Sequence, residues 1–311
     1  MRVYMPNVKL EEQSAFLAIV GRPNVGKSSL MNRMLGQKVA IVSRKPQTTR
    51  TRIMGVLTEG ADQLVFLDTP GLLKPHDRLD EYMVKSVTSS IAGVDAALLV
   101  VEAGTEISAA DRDLIAKFRE LHLPAVLCIN KIDLLKVKSR LAPQMAALSK
   151  AYEFSAVVPV SARTGAGVEE LKAELKKLSK PGGHLFPADT LTDQPERVLA
   201  GEFVREKMLR LLSQEVPHGI AVVVHRLQER KDSSCIDIEA DIYCERDSHK
   251  GIIIGKGGSM LKKIGTQARM DLERFYGIPV NLQLQVVAKP NWRNREAALR
   301  SFGFDAKDLQ K

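Results

Sequence analysis

No stretch of these 311 residues approaches 18 consecutive apolar side chains, although 44% of them are hydrophobic. No segment is therefore expected to cross a membrane as a helix. The first twelve residues, Met1–Glu12, lack the apolar core of a secretory signal. Cysteine is scarce. Cys128, Cys235 and Cys244 share no metal-type spacing. Cys128 lies in an apolar run and is expected in the core. Cys235 and Cys244 could be neighbours across a sheet, but packed thiols in a reducing cytosol are the expectation. Acidic residues are thin at one end: residues 250–311 hold 12 Lys and Arg against 5 Asp and Glu, so +7 of the formal +9 arises there. Such an end suits a polyanionic partner, although a solvated surface or a patch for anionic lipid gives the same count. The length favours two ordinary domains over one very large one.

What is present begins with Gly21-Arg22-Pro23-Asn24-Val25-Gly26-Lys27-Ser28, a G-x-x-x-x-G-K-S sequence. A short apolar run, Ala15–Val20, precedes it and a helix-like stretch, Ser29–Leu35, follows. That is the setting of a phosphate-binding loop. Loop N–H groups wrap phosphates, and the helix N-terminus adds partial positive charge. Lys27 is placed to reach the β- and γ-phosphates, and the Ser28 hydroxyl to ligate Mg²⁺.

Further apolar runs, Gln63–Leu67, Ala96–Val101, Pro124–Ile129 and Ala156–Val160, alternate with helical patterns near Leu79–Ile91, Ala109–Leu121 and Arg140–Ala151. Near-continuous apolar strands between helices imply a mostly parallel sheet covered on both faces. Arg52–Thr58 reads as an added antiparallel edge strand. Ligands in such sheets bind at the carboxyl ends of the strands, and each remaining motif falls just after one. Asp68-Thr69-Pro70-Gly71 follows Leu67; the carboxylate suits Mg²⁺ held through a water, and the Gly71 N–H the γ-phosphate. Asn130-Lys131-Ile132-Asp133 follows Ile129. The Asp133 carboxylate can accept from guanine N1–H and the N2 amine together, and adenine offers neither donor. Asn130 can bond N7, and the Lys131 stem can lie over the base. Ser161-Ala162 closes the pocket, with the Ala162 N–H suited to guanine O6. In the polar segment Pro46-Gln47-Thr48-Thr49-Arg50, either threonine can bring a hydroxyl to Mg²⁺ and an N–H to the γ-phosphate in the triphosphate state only; Thr49 is favoured.

These motifs, with Leu35-Gly36-Gln37-Lys38 and Ser161-Ala162-Arg163, resemble the five guanine-nucleotide motifs of the translation-factor-like GTPases, specifically the Era family, over nearly the whole chain. Ras-like enzymes place a water-orienting glutamine after the D-x-x-G glycine; here that place holds Leu72. The resemblance implies that a K⁺ ion, held partly by Asn24, supplies charge instead. It assigns the catalytic roles to Lys27, Thr49, Gly71 and Asn24, and the cofactors to GTP or GDP with Mg²⁺.

Leu178–Glu196 is broken by Pro181, Gly182, Gly183, Pro187 and Pro195. The expected division is a GTPase domain over 1–181, a linker over 182–195 and a smaller α+β domain over 196–311. In the latter, Arg197–Glu215 is helical, and Ile220–Leu227 and Ile236–Tyr243 are strands, the second alternating Ile236, Ile238, Ala240 and Ile242 with Asp237, Glu239 and Asp241. The run Ile252-Ile253-Ile254 reads as a strand leading into Gly255-Lys256-Gly257-Gly258 and a basic helix, Met260–Phe275, with Lys262, Lys263 and Arg269. A G-x-x-G loop lets a nucleic-acid backbone approach closely, and in a KH module the clamp holds about four nucleotides. Aromatics are sparse near the loop, so bases are expected on an aliphatic groove, with Ile253 and Ile254 as candidates. Trp292 can stack a base or pack inward. The resemblance supports a C-terminal KH domain. It also implies the 3′ end of small-subunit (16S) rRNA as the bound RNA and maturation of the 30S subunit as the role; a cytoplasmic monomer is expected. The rival readings keep the GTPase but give the basic domain a protein or an anionic membrane surface to dock. No amphipathic basic helix with an aromatic face supports the membrane, and weak association with the inner face of the cell membrane stays open.

Overall fold

The computed structural model describes residues 11–45, 47–71, 75–213, 216–232 and 234–304. Pro46, Leu72 and most of Met1–Glu12 lie outside the described residues. The first half builds β1 (Gln13–Val20), α1 (Lys27–Leu35), β2 (Ile53–Glu59), β3 (Asp62–Asp68), α2 (Arg78–Ala92), β4 (Ala96–Glu102), α3 (Ala109–Glu120), β5 (Ala125–Asn130), α4 (Leu141–Ala151), β6 (Ala156–Pro159), α5 (Val168–Lys176) and β7 (Lys180–Pro181). The strand order is β2-β3-β1-β4-β5-β6, all parallel except β2, which runs antiparallel to β3 at the edge, while short β7 pairs with β1. Both faces are covered, which is why the strands read as unbroken apolar runs. Leu17, Ile19, Leu98, Val100 and Val126 pack toward α1 and α5. Their neighbours Ala18, Val20, Leu99, Val101 and Leu127 pack toward α2, α3 and α4. Each fully buried leucine contributes roughly 1.5–3 kcal/mol. Local signals set the helix starts: the Asp77 carboxylate accepts from Asp80 N–H, and Ser108 with Asp111 forms a reciprocal capping box.

Beyond β7 the chain lies along the sheet edge rather than hanging free. Gln63 Oε1 accepts from the Leu185 and Phe186 amides at 2.7 and 2.9 Å, and Val56 N–H donates to Leu191 O at 2.9 Å. The Val56 bond covers part of the outer backbone of β2.

The second half is α6 (Glu196–Leu211), β8 (Ala221–Glu229), β9 (Ile236–Cys244), α7 (Asp247–Ile254), α8 (Ser259–Tyr276), β10 (Val280–Ala288) and α9 (Glu296–Ser301). β9 lies between antiparallel β8 and parallel β10. Its alternation is as read: Ile236, Ile238, Ala240 and Ile242 are buried under α6 and α8.

Two expectations are corrected, and of the two readings of Cys235 and Cys244 the free thiols hold. Ile252-Ile253-Ile254 ends helix α7 and is not a strand; Ile253 is buried against α8 and β10, and that packing overrides the β preference of the triple isoleucine. Among the described residues α6 stops at Leu211 rather than continuing to 215. Cys235 and Cys244 stand just before and at the end of one strand, so they are not cross-strand neighbours, and all three cysteines are free thiols. Trp292 is fully buried, with its indole N–H donating to Gly219 O at 3.0 Å, so it packs inward. It joins Leu79 and Met83 of α2 to Ala298 and Leu299 of α9, tying the two halves together. Among the described residues, no helix is long and apolar enough to cross a membrane.

Candidate functional site

The G-x-x-x-x-G-K-S loop turns tightly between β1 and α1. Gly26 takes φ 102°, and a Cβ there would lie 2.3 Å from Asn130 Nδ2, so only glycine fits. Lys27, at the first turn of α1, is buried and donates from Nζ to Gly21 O and Arg22 O, both at 3.0 Å. Those bonds curl the loop around the ammonium and point it into the turn. Arg22 reaches away from the loop to Thr105 Oγ1 at 3.0 Å and Asp111 Oδ2 at 3.4 Å.

Three oxygens expected at a metal come together beside Lys27. Ser28 Oγ donates to Asp68 Oδ2 at 2.5 Å, and Thr49 Oγ1 lies 3.0 Å from Ser28 Oγ and 3.5 Å from Asp68 Oδ2. Thr48 does not share this place: its hydroxyl donates to Lys45 O at 2.7 Å. Hydroxyl and carboxylate oxygens are the hard donors Mg²⁺ takes, usually with retained waters. Asp68 Oδ1 is buried with no hydrogen-bond partner, an orphaned acceptor that a metal-bound water would satisfy. The donor set therefore fits Mg²⁺. Burial pushes the Asp68 carboxyl up to about 6 against the pull of Lys27, Ser28 and Thr49. Burial also brings the Lys27 ammonium down to about 8, with Asp68 opposing. A divalent cation at Asp68 and phosphates at Lys27 favour the charged form of each.

Thr69 Oγ1 donates to Ile19 O at 2.9 Å, anchoring the turn after β3. Pro70 is buried beside it. A Cβ on Gly71 would lie 2.6–2.7 Å from the ring and backbone of Pro23, so the turn sits directly against the phosphate loop. Asn24, at φ 63°, donates from Nδ2 to Arg44 O at 3.0 Å.

On the base side, Asn130 is buried and joins three segments. Its Nδ2 donates to Val25 O at 2.8 Å, and its Oδ1 accepts from Ala162 N–H at 3.0 Å. A guanine O6 at Ala162 would therefore share that proton in a three-centre bond. Lys131, at φ 67°, is held by Glu102 at 2.6 Å, and Ile132 N–H donates to Val160 O at 3.2 Å. Asp133 Oδ1 accepts from Ser161 Oγ at 2.6 Å, and Oδ2 meets Arg163 at 2.7 Å. Arg33 on α1 donates to Ala162 O at 2.9 Å and Arg163 O at 2.5 Å, steadying the closing loop. Arg33 and Glu102 carry no motif signal, because long-range folding alone brings them to the site.

The second candidate surface is the loop between α7 and α8. Gly255, Gly257 and Gly258 all take positive φ, and a Cβ on Gly257 or Gly258 would meet nothing within 4 Å. The loop is thus open to solvent where a backbone has to approach. Lys256, Lys262 and Lys263 are exposed around it. Beside it lies a groove of about 400 Å³ with an aliphatic floor of Leu261, Leu282 and Leu284 and a rim that includes Lys262, Thr266 and Arg269. Ile253 is core and cannot serve as a base platform; Leu282 and Leu284, from the unanticipated strand β10, stand there instead.

Comparison with known proteins matches residues 16–131 to a family described as 50S ribosome-binding GTPase and residues 215–293 to the KH domain family. GTPase Era of Clostridioides difficile is 46% identical over 295 residues, covering 95% of this chain and 99% of that one. GTPase Era of Lacticaseibacillus paracasei is 47% identical over 300 residues, covering 96% and 99%. Two solved structures at 39% identity superpose with a TM-score of 0.90, each covering 94% of this chain and 99% of the other. One is Era with MgGDPNP and nucleotides 1506–1542 of 16S ribosomal RNA, and the other an Aquifex aeolicus Era variant bound to GDP·AlF4⁻. With a phosphate loop, a guanine pocket and an open G-x-x-G groove in one chain, and this likeness along nearly its whole length, the chain belongs to the GTPase Era family.

Proposed function

We propose that this chain is a GTP-hydrolysing switch that clamps the 3′ end of small-subunit rRNA and acts in maturation of the 30S subunit in the cytoplasm. The units are a GTPase domain over 1–181 and a KH domain over 196–311, joined by the linker at 182–195. The observation that carries the reading is the convergence of Ser28, Thr49 and Asp68 beside Lys27, in a chain that also presents an open glycine loop over an aliphatic groove. The solved Era with a GTP analogue and 16S rRNA nucleotides supports the choice of partner.

In the reaction, water attacks the γ-phosphorus in line, the bond to the β–γ bridging oxygen breaks, and GDP and phosphate leave. Bound Mg²⁺ supplies positive charge against the β- and γ-phosphates. Lys27 and the loop amides would hold the same phosphates, while Ser28, Thr49 and Asp68 would hold the metal. Gly71 N–H faces the γ-phosphate. Asp133 selects guanine, with Asn130, Lys131 and Ala162 around the base. Thr49 and Gly71 are engaged by the triphosphate only, which makes the cycle a switch. Titrating GTP hydrolysis with ATP as competitor tests the selectivity; inhibition by equimolar ATP contradicts it.

K⁺ stimulation is expected at Asn24, whose amide donates to Arg44 O at 3.0 Å and whose side chain is exposed on the phosphate loop. Hydrolysis is expected to be slow alone and faster in K⁺ than in Na⁺, with Asn24→Ala removing the difference. Equal rates in the two salts would contradict this role. A pH effect follows from Asp68. Protons compete with Mg²⁺ for the carboxylate, so Mg²⁺ affinity is constant well above pH 6. It falls by about ten-fold per unit below that value. Fluorescent-GDP release measured against Mg²⁺ from pH 5 to 8 checks it; a flat profile contradicts the direction.

A further inference from the structure

The C-terminal half grips the chain on both sides of Thr49. Arg205 on α6 is 2% exposed and donates from Nη2 to Thr48 O. Arg50 is 3% exposed and donates to Ile220 O at 2.5 Å and His218 O at 2.7 Å. Thr48 and Arg50 are the immediate neighbours of Thr49. The bond to the Thr48 carbonyl fixes the peptide plane before Thr49, and the held Arg50 side chain restrains the residue after it. Arg205 is itself preset, since Nε and Nη2 each lie 2.6 Å from a Glu202 carboxylate oxygen. The next residue, Glu206, is fully buried and accepts from Val42 N–H at 2.9 Å and Lys38 at 2.6 Å, which fixes where the segment begins. Within the first half, Gln47 on Asp80 at 2.7 Å and Asn24 on Arg44 O at 3.0 Å also tie the segment.

We propose that Arg205 is a positioning residue for GTP hydrolysis: through the Thr48 carbonyl, and with Arg50 on the other side, it sets the Thr49 hydroxyl beside Ser28 and Asp68, so that the RNA-binding half completes the triphosphate site. This rests on the reading of Thr49 as a metal ligand. It adds a direction to the switch. α6 packs on α8, the helix that starts at the glycine loop, through Phe203 on Phe275 and Lys207 on Asp271. A ligand that moves α8 therefore acts on Thr49 through α6, and the coupling is reciprocal. The grip also carries a load. Burial first, and the neighbouring Arg205 charge second, bring the Arg50 guanidinium down to about 9, with Glu202 and Asp77 opposing.

The test uses the full chain with Arg205→Ala, Arg205→Lys and Arg293→Gln. Arg293 bridges Asp77 and Glu245 at the same interface, and among the described residues no hydrogen bond or ion pair joins it to the segment around Thr49. Melting temperature, release of fluorescent GTP analogue and of fluorescent GDP across Mg²⁺ concentrations, and single-turnover hydrolysis are read for each. Arg205→Ala is expected to speed release of the triphosphate analogue by about ten-fold, the value of one charged hydrogen bond. It should also raise the Mg²⁺ that retention requires, while GDP release stays as in the unaltered protein. Arg293→Gln leaves both nucleotides unchanged. If Arg205→Ala does not fold, Arg205→Lys, which loses the fork on Glu202 but keeps the charge, carries the same comparison. Equal acceleration for both nucleotides, no acceleration for either, or the same effect from Arg293→Gln overturns the proposal. Absence of GTP hydrolysis in the unaltered protein is a different failure, that of the functional reading itself.

Discussion

Asp133→Asn is expected to weaken GTP and GDP binding by on the order of 100-fold or more and to transfer preference to xanthine nucleotides. A carboxylate accepts from guanine N1–H and the N2 amine at once. An asparagine replaces one acceptor by an NH₂ donor, which then faces a donor of the base with no water to relieve it. Xanthine has a carbonyl where guanine has the amine, so the new NH₂ finds its partner. The frame around the base survives the change. Ser161 Oγ can still donate to the remaining oxygen, having stood 2.6 Å from Asp133 Oδ1, and Asn130 continues to tie Val25 to Ala162. Calorimetric titration with GDP and with xanthosine diphosphate checks the inversion. A parallel loss for both bases would mean that Asp133 holds the loop rather than reading the base.

Gly258→Asp is the second large effect. RNA affinity is expected to fall by on the order of 100-fold, with GTP hydrolysis unaltered, because the added carboxylate stands where a phosphate must approach. The fold should tolerate it. Gly258 sits at φ 77°, a left-handed position that aspartate accepts more readily than most residues, and its Cβ would meet nothing within 4 Å. It also caps α8, where a negative side chain is favourable. A melting temperature within a few degrees of the parent, together with lost binding, separates the clamp from a folding defect. Unchanged binding at both low and high salt would make the loop structural and return the basic domain to protein docking or anionic lipid.

How much of this was legible depended on range. The phosphate loop, Asp68–Gly71 and Asn130–Asp133 each act within a few residues of a strand end, so spacing alone placed them at one edge of the sheet. The two-sided burial of β1, β3, β4 and β5 was written in unbroken apolar runs. Ile252–Ile254 misled because three β-branched residues favour a strand, while the neighbours that make them a helix, α8 and β10, are distant in sequence. β10 itself carried a signal that went unread: Val280, Leu282, Leu284 and Val286 alternate with Asn281, Gln283 and Gln285 at period two. The hold of Arg205 and Glu206 on residues 42–48 spans more than 150 positions, and no local pattern announces it. Leu72 lies outside the described residues, so the loss of a water-orienting glutamine there rests on the sequence alone.

The central claim is a GTP-gated RNA clamp, and one titration tests it most directly. A short oligonucleotide from the 3′ end of small-subunit rRNA and a scrambled control are added to the full chain, loaded with a non-hydrolysable GTP analogue or with GDP. The account predicts tight binding of the 3′-end sequence in the analogue-loaded protein, and much weaker binding of the control and of the GDP form. Equal affinity for both oligonucleotides in both nucleotide states would contradict it.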